Sequence, residues 1–157
     1  MTAIFSRLFN AILSLLSFSD VNACDFHKNT PFISAAANGD ITTLKLLLDH
    51  KNCNLLARNF EGHTALHRAC FFGEIETVDF LLRHTELKVG DRDKKGNNCV
   101  HLACMGLSIT LSRYLMLKVK NSAGLLVPNK EGKTPLIIVV ETVKSVSPTQ
   151  NIEELHL

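Results

Sequence analysis

Tryptophan is absent from this 157-residue chain and tyrosine occurs once, so any aromatic contact surface must be built from the nine phenylalanines. An excess of charge of one sign is missing too. Seventeen Lys and Arg against fifteen Asp and Glu leave a formal net charge of +2, too near neutrality to imply a nucleic acid or a membrane surface. No CxxC pair occurs among Cys24, Cys53, Cys70, Cys99 and Cys104. An odd, widely spaced set fits neither a disulfide framework nor a structural zinc site, so buried free thiols in a reducing compartment, cytoplasm or nucleus, are the plainer reading. Gly-rich phosphate loops, HExxH and the nucleophile elbow are lacking as well, and no catalytic residue, cofactor or metal site is assigned. The longest apolar run, residues 3–18, is interrupted by Ser, Asn and Arg7. A membrane span needs about 20 apolar residues, so none is expected here. Val21-Asn22-Ala23 after that run can pass for a signal-peptidase site, which keeps a secreted protein as an alternative.

What the chain does contain is a repeat. Hydrophobic residues at 46% and charged residues at 20% already argue for a folded domain. Asn29-Thr30-Pro31-Phe32-Ile33-Ser34-Ala35-Ala36, His63-Thr64-Ala65-Leu66-His67-Arg68-Ala69-Cys70 and Asn97-Asn98-Cys99-Val100-His101-Leu102-Ala103-Cys104 align without gaps, and Lys133-Thr134-Pro135-Leu136-Ile137 begins a fourth copy. Thr30, Thr64, Asn98 and Thr134 are separated by 34, 34 and 36 residues. A turn precedes three of the copies, at Asn59-Phe60-Glu61-Gly62, Asp93-Lys94-Lys95-Gly96 and Asn129-Lys130-Glu131-Gly132. Asp or Asn ahead of Gly is β-turn chemistry, and Thr followed by Pro caps and opens a helix. Gly39 and Gly73 fall where the first helix should end. An amphipathic second helix follows, through Ile41, Leu44, Leu47 and Leu48 in one copy and Ile75, Val78, Leu81 and Leu82 in the next. One such pair cannot bury its apolar face alone, so the pairs must stack.

A period near 33 with the string T-P-L-H-x-A is the ankyrin signature, and the chain resembles the ankyrin-repeat family over almost its whole length. The resemblance implies an all-α solenoid of stacked helix-turn-helix pairs with β-turn fingers, in a single domain over 1–157. Its repeats would run 25–58, 59–92 and 93–128. A truncated repeat at 3–24 would hold the second helix only, and a partial C-terminal repeat would fill 129–157. Leu15 to Asp25 resembles the end of a second helix followed by the family's D-V-N-A-x-D linker, which favours this reading of residues 3–17 over a cleaved leader. Pro148 should break the last helix, with 151–157 as a shortened second helix. Apolar residues at both ends imply either a piece of a longer array or a surface that docks a partner. Departures from the family pattern are Lys28 at the turn glycine, Ile33 and Ile137 at the histidine, and Asn98-Cys99 at Thr-Pro. Around Gly106 the break between helices is expected to slip by one residue.

The resemblance also implies a non-catalytic role. Its members bind proteins through the finger tips and the exposed side of the first helices, which together form a concave face. Carried over by position, the tips are Phe26, His27 and Asn29; Phe60, Glu61 and His63; Lys94, Lys95 and Asn97; and Lys130, Glu131 and Lys133. The helix positions are Ala37, Asn38, Phe71, Phe72, Met105, Gly106, Glu141 and Thr142. Phenylalanines early and lysines late suit a partner with an apolar segment and an acidic stretch. Residues 57–67 and 96–104 are similar to repeats of the inhibitor-of-NF-κB family, which implies retention of a Rel-type transcription factor as an alternative. His67 and His101 would be structural in such a stack, hydrogen-bonded to a neighbouring turn, and Cys70 and Cys104 would be packing residues.

Overall fold

The computed structural model describes residues 20–118 and 126–146. The expected helix over 3–17, the leader alternative and the short helix over 151–157 lie outside the described residues. Seven helices form among those described: α1 (Pro31–Ala37), α2 (Ile41–Leu48), α3 (Ala65–Phe72), α4 (Ile75–His84), α5 (Cys99–Met105), α6 (Ile109–Lys118) and α7 (Pro135–Val146). The described residues contain no strand.

Each first helix starts where its capping chemistry puts it. The Thr30 hydroxyl accepts from the Ile33 N–H, with Pro31 in the first turn. Thr64 and Asn98 make reciprocal capping boxes with His67 and His101, whose rings reach back to the cap backbone. Asp40 caps α2 by accepting from the Thr43 N–H.

The first helices end on left-handed residues: Gly39 at φ 70° and Gly73 at φ 77°, 34 residues apart. The third break corrects the expectation of a slip. Leu107, again 34 residues on, takes the left-handed conformation at φ 55°, so the break stays in register. Gly106 precedes it for a packing reason. A Cβ there would lie 1.9 Å from the Phe71 carbonyl oxygen, so only glycine lets the ends of α3 and α5 approach this closely.

Helices α1, α3, α5 and α7 stack in order, and α2, α4 and α6 each back the first helix of their own pair. Ala35, Ala36, Ala69, Cys70, Ala103 and Cys104 are buried along the stack, where small side chains allow close contact. Leu44, Leu66, Leu81, Leu102, Leu111 and Leu115 fill the core, each worth about 1.5–3 kcal/mol when fully buried. On the second-helix side the Tyr114 hydroxyl donates to the Asp79 carboxylate, joining α6 to α4. The result is a ladder of helix pairs with fingers projecting along one edge.

Candidate functional site

The fingers repeat a single hydrogen-bond device. Asp25, Asn59, Asp93 and Asn129 each accept, through the side-chain oxygen, the backbone N–H four residues on, at 2.7, 2.9, 2.8 and 2.9 Å. Their own N–H groups donate to the carbonyl of that same residue at 2.9–3.0 Å, which closes the turn. Successive fingers are then tied together. The N–H groups of Phe60, Lys94 and Lys130 donate to the carbonyls of His27, Glu61 and Lys95 at 3.1, 3.0 and 2.9 Å. Side chains add a second set of ties: Asn59 Nδ2 to Asn29 Oδ1, His63 Nε2 to Asp93 Oδ2, and Asn129 Nδ2 to Asn97 Oδ1, at 2.8–3.1 Å. Burial pushes the Asp93 carboxyl up, but its bonds from His63 and Asn97 outweigh that and hold it at about 2.

These ties set the exposure of the sequence-derived residues. The side chain of Phe26 is fully outside, at 99% exposure, and Phe60 is 60% exposed. They occupy the same finger position, which Lys94 and Lys130 fill in the later two fingers, so the tips read Phe, Phe, Lys, Lys. His27, Glu61, Lys95 and Glu131 are exposed beside them. Phe72 is half exposed on α3, with the Arg68 guanidinium 4.9 Å from its ring centroid. Phe71 stands edge-on to Phe72 and is half-buried against the core, as is Met105. Asn29 and His63 are half-buried in the ladder. Asn97 is 1% exposed and offers no surface, because its amide is used up between Asp93 and Asn129. Lys133 is not a free cation either: its ammonium lies 2.8 Å from Glu141 and 3.5 Å from Glu131, and the Glu141 bond raises its pKa.

The remaining polar residues serve the scaffold. His67 and His101 are fully buried, with Nε2 on the Asp91 carbonyl at 2.9 Å and on the Lys133 carbonyl at 3.1 Å. This is the structural role that the family resemblance implies for them. His63 lies in the turn before α3, its ring stacked on His67 at 5.9 Å. The five cysteines are free, and Cys70, Cys99 and Cys104 are buried. Burial drives the Cys70 thiol pKa upward, and neighbouring Cys99 adds to it, which leaves an inert thiol. No group of three His, Cys, Asp or Glu among the described residues is placed to hold a metal ion, and no helix among them is long and apolar enough to cross a membrane.

Two residues that matter here escaped the sequence reading. Arg58 Nη1 donates to the carbonyls of Gly62 and Arg92 at 2.8 and 2.9 Å. Arg92 Nη1 does the same with Gly96 and Pro128, at 3.2 and 3.0 Å. The two arginines stand one 34-residue period apart, and that spacing was the available signal.

The ankyrin-repeat family, in a form with three copies, matches residues 1–93. With the stacked pairs and fingers above, the chain belongs to the ankyrin-repeat family, whose repeats are generally protein–protein interaction modules. No curated protein matches the chain.

Proposed function

We propose that this chain is a non-catalytic adaptor that binds another protein across its finger tips and the exposed edge of its first helices. The apolar part of the partner lies over Phe26, Phe60 and Phe72, and its acidic part over Lys94, Lys95 and Lys130. The observation that supports this most is the tip row: two exposed phenylalanines followed by two lysines at one register, on fingers tied to one another by backbone hydrogen bonds. Exposed rings on a braced scaffold suit contact hot spots, since little ordering remains to be done on binding. The narrower reading, retention of a Rel-type factor, draws on residues 57–67 and 96–104. Asn59, Thr64–His67 and Asn97–Cys104 in these stretches are buried. They describe scaffold and carry no partner specificity, so the proposal stays at the class of partner. Five free thiols, three of them buried, support a reducing compartment, cytoplasm or nucleus.

The test compares wild type, the Phe26→Ala/Phe60→Ala double variant and Leu46→Ala, whose exposed side chain lies on a second helix. In quantitative affinity capture the double variant should lose its bound proteins while Leu46→Ala retains them, with thermal midpoints unchanged. Equal capture by all three would sink the proposal.

A further inference from the structure

Beside the tip row, on the flank of the second and third fingers, lies an open cleft of about 320 Å³. Lys28, Arg58, Arg92 and Lys94 line it, together with Phe60 and Asp93. None of the four cations forms an ion pair among the described residues. Asp93, the lone carboxylate in the lining, pairs directly with none of them, and one carboxylate against four cations leaves the cleft positive. Both of its oxygens are engaged by Asn97 and His63 within the ladder. Arg58 and Arg92 are held by pairs of backbone carbonyls, so their guanidinium groups are positioned in advance.

Lys28 supplies an independent observation. It stands at the finger position that Gly62, Gly96 and Gly132 fill in the other three fingers, and it takes the same left-handed conformation, φ 63° against 75–82°. Lysine is strained there and glycine is not. The strained exception is also the cation that completes the cleft.

We infer that this cleft is an anion-binding subsite, which takes a carboxylate or phosphate group on a side chain of the bound protein, with an apolar neighbour over Phe60. The subsite rests on the protein-binding reading above and sharpens it: the acidic feature of the partner enters here, between the fingers, as well as lying over the outer lysines. Phosphate and carboxylate both suit a cradle of guanidinium and ammonium groups, with phosphate favoured where the arginines offer planar donors.

Three fluorescein-labelled octapeptides serve as probes, identical except for a central phosphoserine, glutamate or glutamine beside a leucine. Fluorescence anisotropy at 50 and 150 mM salt measures their affinities. The two anionic peptides should bind, with the phosphoserine and glutamate arms identifying which group the cleft prefers, and the glutamine peptide should not. Lys28→Gly should weaken anion binding about fivefold, as expected for one lost charge contact, while raising the thermal midpoint. A residue kept for structural reasons would lower that midpoint. Lys45→Gln, at an exposed position on α2 outside the finger row, should leave the affinity as it is.

Equal binding of all three peptides overturns the inference. So does wild-type affinity in Lys28→Gly, or an equal loss in Lys45→Gln, which would mark a diffuse charge effect. The two proposals fail separately. Anion binding that survives while Phe26→Ala/Phe60→Ala still captures its proteins removes the tip row and keeps the cleft. Loss of capture in that variant with no anion binding in wild type does the reverse.

Discussion

His67 shows how much one buried side chain can hold in a stack of short helices. Its Nδ1 faces the Thr64 cap and its Nε2 donates to the Asp91 carbonyl, so one neutral ring joins the start of α3 to the approach of the next finger. Burial depresses its pKa to about 4 from 6.5. Between those values the unfolded chain takes up a proton that the folded chain refuses. The stability this histidine contributes is therefore complete above pH 6.5, falls as the pH drops toward 4 and changes little below. The full amount is roughly 3 kcal/mol, at 1.36 kcal/mol per unit. Burial shifts His101 in the same direction. Asp93, held at about 2 from 3.8, is lost only in more acid solution, so the window from 6.5 to 4 isolates the histidines. Urea midpoints at pH 7.5, 5.5 and 4.5 should fall steadily, and His67→Asn should flatten that fall. A midpoint constant over the window would contradict the buried neutral ring.

At the scale of the element, the tightest constraint is the meeting of α3 and α5. Gly106→Ala would drive a methyl group into the Phe71 carbonyl oxygen, which is backbone and cannot swing aside. The helices must separate, at a cost of about 1–3 kcal/mol typical of overpacking and possible only by opening the contact. The loss should appear as a lowered thermal midpoint, whereas helix propensity alone predicts that Ala would raise it. This constraint was not legible in the sequence. A glycine one place before the expected break looks like a shifted helix end, because nothing local distinguishes a left-handed residue from a close approach to a neighbour 35 residues away. The capping residues, the second-helix stripes and the finger turns were legible, since each depends on residues within four positions of one another. The burial of Asn97 was not. It follows from the Asn129 amide of the next finger, and a turn residue read by itself looks exposed. Arg58 and Arg92 escaped for the same reason: each ties a carbonyl of its own finger to one at the approach of the next.

Over the whole molecule, a single register runs from one finger to the next, and side-chain substitution on that register decides what the surface can hold. The ties between fingers run through backbone groups and through side chains other than those at 26, 60, 94 and 130, so these tip positions are free to vary without loosening the scaffold. That freedom makes the change from phenylalanine to lysine along the row informative, and it supports the proposal that a partner is met at the exposed tips and not at the buried repeat motif. The most direct measurement is site-specific photo-crosslinking, with a photoreactive amino acid at position 26, 60 or 46. Positions 26 and 60 should yield the same crosslinked protein, and position 46 on α2 should yield none. Adducts from 46 with none from 26 or 60 would contradict it.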